Sequence, residues 1–260
     1  MDPVASLLPA TMTLGTLLLA GLVTGLGGFV KGAVGFAMPL VMISGMGIFL
    51  DPELVVAGIV LPIVVSNGLQ IARGGLGAAL QAARDFRVYI VLVCTFILIS
   101  AQFLTRIPTE AMFLVLGIPV VVLCAIQLSG IRLTIPPGRK GIFSVIAGTI
   151  SGILGGLAGT WGPPTVLYLL ALDTPKARQM VVQGVIYGLG SVALLVGHLQ
   201  SGVLNRETVP FSALLLIPAV IGMWIGFRVQ DRLDQEKFRR ATLFVLLIAG
   251  LNLIRRGLVA

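Results

Sequence analysis

The chain has 260 residues, of which 57% are hydrophobic and only 11% charged, with a mean hydropathy of +1.06 and a formal charge of +8. Soluble domains carry about 25% charged residues, so this composition excludes a soluble fold and makes the excess of lysine and arginine a matter of membrane orientation rather than nucleic-acid binding. Two cysteines without metal-type spacing and a single histidine, His198, give no support to a disulfide scaffold, zinc or haem.

The opening residues, MDPVASLLPATMTLG, contain Asp2 and no basic stretch, which argues against a cleaved signal peptide. Apolar segments then run over 12–50, 54–73, 88–105, 110–130, 141–172, 178–200, 208–228 and 239–254. One crossing takes about 17–25 residues. The segments 12–50 and 141–172 are too long for one crossing and are interrupted by glycine and proline, so each predicts a pair of shorter helices.

Loop charges agree with that division. Arg73, Arg84 and Arg87 fall in one connection, Arg132, Arg139 and Lys140 in a second, Lys176 and Arg178 in a third, and Arg228, Arg232, Lys237, Arg239 and Arg240 in a fourth. If both long segments enter and return, these 13 of the 18 basic residues lie on one side, against Arg106, Arg206, Arg255 and Arg256 on the other. The positive-inside rule makes the crowded side cytoplasmic and puts both termini in the periplasm. Arg255 and Arg256 run against the split.

The sequence also repeats itself. TGLGGFVKGAVG (24–35) superposes without gaps on SGILGGLAGTWG (151–162), with Gly25, Gly28, Gly32 and Gly35 matching Gly152, Gly155, Gly159 and Gly162. Each copy leads to an acidic turn and three further spans. An odd number of elements per half reverses the second half in the bilayer. The predicted fold is therefore an all-α polytopic membrane protein, one domain over 1–260, built from two inverted five-element repeats, 12–130 and 141–256. These make about ten transmembrane or half-membrane helices, with a broken pair at the first element of each half.

Glycines at this spacing also serve close helix packing. Pro163-Pro164 sharpens the second break, because a residue before proline is pushed from helical dihedrals; Pro39 acts more weakly in the first. Irregular backbone at membrane depth must be satisfied by protein or a water-filled cavity. Helix N-termini at such breaks offer N–H groups and partial positive charge, which suit an anion, and few acidic residues lie within the spans to serve a cation.

Lys31 stands among otherwise uncharged residues, where a mid-bilayer lysine costs about 2.5–3.5 kcal/mol and needs a partner. Two readings of it stay open: an anion ligand beside the first break, or a snorkelling lysine at a cytoplasmic turn. Gly32, Gly35 and Phe36 belong to the same break. Gly159, Thr160, Trp161 and Gly162 form the other. Asn67 and Gln70 share a face with Ser66 after Pro62, and Gln183 and Tyr187 align with Ser191 on the equivalent span. These residues are the candidate substrate site. His198 reads as a residue near the outer end of its span, with a proton-relay role left open.

GGFVKGAVGFAMPL, VLPIVVSNGLQI and GILGGLAGTWGPPTVLYLLALDTPKAR, in that order, resemble the TauE/SafE family of sulfite and organosulfonate transporters over roughly residues 14–256. The chain departs from the Gly-Gly-Gly centre common in relatives, with Lys31-Gly32-Ala33-Val34-Gly35-Phe36 in its place. The resemblance implies a bacterial inner-membrane carrier, without cofactor or metal, that moves sulfite, sulfoacetate or related sulfur-containing anions, commonly outward. An uptake permease and a non-transporting membrane scaffold are the alternatives. An intramembrane enzyme lacks the acid pair or nucleophile and base it would need. Membrane lipid is an expected partner; a coupling proton or ion and a homo-oligomer are left open.

Overall fold

The computed structural model describes residues 12–130, 134–136, 138–232 and 234–259, which form helices and turns with no strand among them. Arg132 and the residues bearing on a signal peptide and the N-terminus fall outside these. The helices are α1 (Leu14–Val34), α2 (Met38–Met46), α3 (Pro52–Gly74), α4 (Leu76–Asp85), α5 (Arg87–Ala101) and α6 (Thr109–Leu128) in the first part of the chain. The second part holds α7 (Lys140–Ala158), α8 (Gly162–Ala171), α9 (Lys176–Gln200), α10 (Thr208–Leu214), α11 (Leu216–Val229) and α12 (Gln235–Val259). Among the described residues, eight helical stretches are long and apolar enough to cross a membrane.

Both over-long segments are broken where glycine and proline predict. Gly35 ends α1 in the left-handed region (φ 84°), its N–H donating to the Lys31 carbonyl at 2.7 Å. Ala37 is left-handed as well (φ 74°), a conformation that costs a residue with a Cβ about 1–2 kcal/mol. Pro39 then opens α2. Gly159 closes α7 in the same way (φ 61°), and Pro163 and Pro164 open α8. Each pair doubles back. Met38 and Met42 of α2 pack on Gly27, and Gly45 packs on Val23. At the end of α8, the Ala171 carbonyl accepts the Ile135 N–H at 2.9 Å, next to where α7 starts.

Glycine governs the tightest contacts. Along α1 and α11, Gly25, Gly28 and Gly32 meet Pro218, Ala219 and Met223 in rising order, so the two helices run parallel with backbones touching. Along α7 and α5, Gly148, Gly152 and Gly156 meet Leu92, Phe96 and Ser100 in the same order. A side chain in these seams would strike backbone: a Cβ on Gly222 would collide with the Gly25 carbonyl oxygen. α3 crosses α9 antiparallel, as Gln70 beside Gly184 and Asn67 bonded to Tyr187 show, and α6 crosses α12 antiparallel.

These directions sort the charges. Arg73, Arg84, Arg87, Arg139, Lys140, Arg178 and Arg228 gather at one end of the bundle, held there partly by the Arg178–Asp85 ion pair (2.5 Å) and the Arg73–Gln230 hydrogen bond (3.5 Å). Arg106 and Arg206 stand at the other end with Arg255 and Arg256. Arg256, which runs against the charge split, is held by local contacts. Its guanidinium donates to the Gly47 carbonyl at the end of α2 and covers the Phe113 ring at 4.2 Å. The stretch between Arg73 and Arg87 reads from sequence as a connecting loop but is the helix α4, whose Leu76 and Leu80 are exposed. Its few apolar residues fall on one face, too few to register as a span, as in helices that lie along a membrane surface.

Pro62 interrupts α3 next to the centre. Proline cannot donate to the carbonyl four residues earlier, and the freed Gly58 carbonyl instead accepts the Ser212 hydroxyl from α10 (3.2 Å), whose oxygen accepts the Leu61 N–H (3.2 Å). The α1–α11 seam supplies a direct test. Gly222→Val should leave no monodisperse protein after detergent extraction, because the helices cannot approach. Gly68→Ala, at an exposed helical position with nothing within 4 Å of the new methyl, should keep or raise the melting temperature, as such changes contribute about 0.4–1 kcal/mol. Equal behaviour of the two variants would remove close backbone packing as the organising contact.

Candidate functional site

The two breaks meet across α3 and α9 around a cavity of about 30 Å³. A single water needs roughly 10–15 Å³ on this measure, so the space takes about two. Lys31, Phe36, Ala37, Pro39 and Leu40 line it from the first hairpin, and Gly159, Thr160, Trp161, Gly162 and Pro163 from the second. Ile63 and Asn67 of α3 and Tyr187 of α9 complete the wall.

Lys31 is not a snorkelling residue. It is 3% exposed, and its ammonium donates to the Asn67 side-chain oxygen. Asn67 passes the link on, its amide nitrogen donating to the Tyr187 carbonyl at 2.9 Å. The Tyr187 hydroxyl donates to the Gly162 carbonyl at 3.1 Å. One polar chain thus ties the end of α1 to the start of α8 through both crossing helices. No acidic side chain lines the cavity among the described residues, and none forms an ion pair with Lys31. An ammonium carries three donor hydrogens; Asn67 takes one, and among the described residues no other side chain accepts from it. Lys31 also occupies the last turn of α1, where the helix dipole favours a positive charge.

Backbone donors are fewer than helix N-termini alone imply. Pro163 and Pro164 carry no N–H, which leaves Gly162 as the donor at the mouth of α8; Pro39 takes one from α2, leaving Met38 and Leu40. The prolines that make the breaks thus remove backbone donors from the starts of both α8 and α2.

The remaining candidates separate by position. Thr160 lines the cavity, but its hydroxyl and N–H both reach back to the Leu154 carbonyl at 3.4 Å, closing α7. Trp161 is 2% exposed, meets the Tyr187 ring edge-on at 6.5 Å, and wedges between Gly155 and Gly190 with its indole N–H buried and unpartnered. Gly35 forms the break without appearing in the lining. Gly32 faces away into the α11 backbone at Met223 and Gly226, so its part is packing. Gln70 and Gln183 do not line the cavity. Gln70 lies one turn from Asn67, against Gly184, with both amide atoms buried and unpartnered. His198, expected near an outer helix end, lies in the last turn of α9 but is fully buried, its Nδ1 3.5 Å from the Ser201 hydroxyl.

Ile63 precedes Asn67 by one helical turn, so it could have been foreseen as wall from spacing alone. Pro39 entered the sequence reasoning only as a breaker of helix and Leu40 had no part in it, although the first turn after a break is where wall residues fall.

The Lys31–Asn67 link predicts strong energetic coupling. Asn67→Leu should lower stability by about 3–5 kcal/mol by leaving a buried charge without its acceptor. Lys31→Met in the same chain should recover most of that loss. Melting of the two single variants and the double variant in detergent measures the coupling, and additive losses would show the two side chains to be independent.

The Sulfite exporter TauE/SafE family profile matches residues 5–253. No curated protein and no solved structure matched the chain. The profile takes in both broken hairpins, α3, α9 and every residue of the cavity wall. The chain belongs to the TauE/SafE family, whose members are membrane transporters of sulfite and related sulfur anions and not enzymes.

Proposed function

We propose that the protein binds a small sulfur oxyanion, sulfite before any longer organosulfonate, between the two helix breaks and carries it out of the cell by alternating access. The buried Lys31 ammonium, with two uncommitted hydrogens in a cavity that lacks acid, is the observation that carries this reading. Sulfite offers three acceptor oxygens. Lys31 and the N–H groups of Gly162, Met38 and Leu40 can meet them. The size of the cavity supports the preference, since space for two waters suits a compact oxyanion, while the tail of sulfoacetate would require Phe36 or Leu40 to move.

Export follows the family's description as sulfite exporters. An orientation with the arginine-rich end in the cytoplasm follows the positive-inside rule and puts this chain in a bacterial inner membrane. Two inverted halves supply the alternation. Under exchange of the halves, α1 packing on α11 becomes α7 packing on α5, and α3 on α9 and α6 on α12 map onto themselves; all four packings are present. The glycine-locked pairs would then move as units about the α3–α9 crossing.

Trp161 is a poor site to test by truncation, since removing a buried tryptophan costs about 3–5 kcal/mol in packing alone. Lys31 and Asn67 are better. Sulfite flux into proteoliposomes should fall by more than about thirtyfold in Lys31→Met, as loss of a charge-assisted contact in a desolvated site costs roughly 2–5 kcal/mol. Lys31→Arg should retain part of it. Asn67→Asp should keep the protein folded, because it pairs the ammonium, yet abolish anion binding by supplying a competing internal anion. Undiminished flux in Lys31→Met would refute the anion-ligand role. Cysteine labelling at Arg139 and Arg206 should report opposite faces, and a shared face would refute the inverted arrangement.

A further inference from the structure

A second cavity of about 200 Å³ opens at the arginine-rich end, between the junction of α4 with α5, the start of α7, and α8. Its wall carries Lys140, Gly141, Ser144, Tyr168 and Asp85. The carboxylate of Asp85 is engaged by Arg178 at 2.5 Å, so the charge without an ionic partner on this wall is the Lys140 ammonium, which lies 5.0 Å from the centre of the Phe86 ring. Lys140 and Gly141 are the first residues of α7, a nineteen-residue helix whose N-cap makes no side-chain hydrogen bond. Uncapped N–H groups and the positive end of the helix dipole therefore face this space. Tyr168 is 4% exposed, and its hydroxyl is buried beside Ser144 without a hydrogen bond of normal geometry. A buried phenol with only a loose contact to the Ser144 hydroxyl, next to an uncapped helix start and an ammonium, is a donor set with room for an acceptor.

A row of side chains on α8 runs between the walls of this cavity and the central one. Tyr168, Thr165 and Trp161 are spaced by three and four residues and share one helical face. Tyr168 stacks on Tyr89 with ring centroids 4.8 Å apart and planes within 7°. The Tyr89 hydroxyl bonds Thr165 at 3.0 Å and Ser151 at 2.7 Å, and Thr165 donates to the Trp161 carbonyl at 2.7 Å. Trp161 lines the central cavity. In the other hairpin, residues 38–43 of α2 (MPLVMI) are wholly apolar and the first hydroxyl is that of Ser44.

We propose that the Lys140–Ser144–Tyr168 cavity is a second oxyanion-binding site, an antechamber that receives the anion at the arginine-rich end, with the stacked Tyr89–Tyr168 pair as the partition between it and the central cavity. Its role as an antechamber rests on the transport reading above; its binding of an oxyanion does not.

Two measurements test it. The first is equilibrium binding of radiolabelled sulfite to purified protein carrying Lys31→Met, which disables the central site. Residual binding should remain, and adding Tyr168→Phe, which keeps the ring stack, should weaken it about tenfold, the effect of one hydrogen bond to a charged group. Lys140→Gln, at an exposed position that folding does not depend on, should do the same. Absence of residual binding, or binding unchanged by both substitutions, would overturn the site. The second is flux. With sulfite supplied at the arginine-rich face, Tyr168→Phe and Lys140→Gln in the otherwise native protein should raise KM about tenfold, the same single contact, while the maximal rate stays near native. An unchanged KM beside intact residual binding would overturn the antechamber and leave the binding site. If native protein transports no anion, the transport reading fails and the binding result stands alone. Binding in nanodiscs of phosphatidylcholine alone and with phosphatidylglycerol separates the sources of the oxyanion. Equal residual binding supports a free anion; loss with phosphatidylglycerol that Tyr168→Phe abolishes would assign the pocket to a lipid headgroup phosphate and overturn the antechamber.

Discussion

An ammonium group carried into an apolar bundle must be solvated by the protein, and here a single side chain, Asn67, accepts from it. The wider arrangement serves that contact. Asn67 is held in place by its own bond to the Tyr187 carbonyl, and Tyr187 reaches the Gly162 carbonyl at the start of α8. A lysine at the end of the first broken helix is thereby tied to the opening of the second. Neither hairpin can shift without altering the partners of a buried charge, whose attraction is strong in a medium of low dielectric constant. This link is short and polar, and it lies between helices otherwise joined by van der Waals contact. It is the place where motion of one half would be felt by the other.

What allows the hairpins to come so close is the absence of side chains. Gly28, Gly32, Gly222 and Gly226 let α1 and α11 touch backbone to backbone, and Gly148, Gly152 and Gly156 do the same for α7 against α5. In lipid there is no hydrophobic force between helices, so close packing of small residues is a main source of cohesion. The two seams are far more intimate than the α3–α9 crossing, where side chains such as Ile71 and Asn67 intervene. Stiffness in the seams and looser packing at the crossing concentrate adjustable contacts around the cavity.

Much of this was legible in the sequence because it depends on residues with few physical uses. A glycine before a proline pair in an over-long apolar run has little to do but break a helix, and both breaks fall at the glycines of the repeated motif. The positions of the arginines likewise followed from counting crossings. The rest depends on relations between distant segments. The glycine spacing that marked Gly32 as part of a site equally marks a packing seam, and only the position of α11 decides between the two. Arg256 looked like a misplaced topological charge because nothing local shows that the Gly47 carbonyl, 209 residues away, needs a donor. Tyr89, Thr165 and Tyr168 drew no attention, being isolated polar residues in two apolar segments far apart in the chain. Their hydroxyls become a seam only once α5 and α8 are side by side.

A neutral partner for Lys31 also bears on how an anion could enter and leave. A carboxylate at Asn67 would hold the ammonium more firmly, but an arriving oxyanion would then have to displace a charge of its own sign. The asparagine oxygen satisfies one hydrogen of Lys31 and leaves the charge uncancelled. Paired with an anion, that charge would no longer oppose burial, so the occupied cavity is electrically quieter than the empty one. Desolvating a lone ammonium is costly and desolvating an ion pair much less so. If the anion binds at Lys31 as proposed, closure of both hairpins over the cavity would be favoured when it is bound and disfavoured when it is not. A carrier that alternates only when loaded needs this ordering, and here it would follow from the pairing of one lysine with an amide instead of an acid.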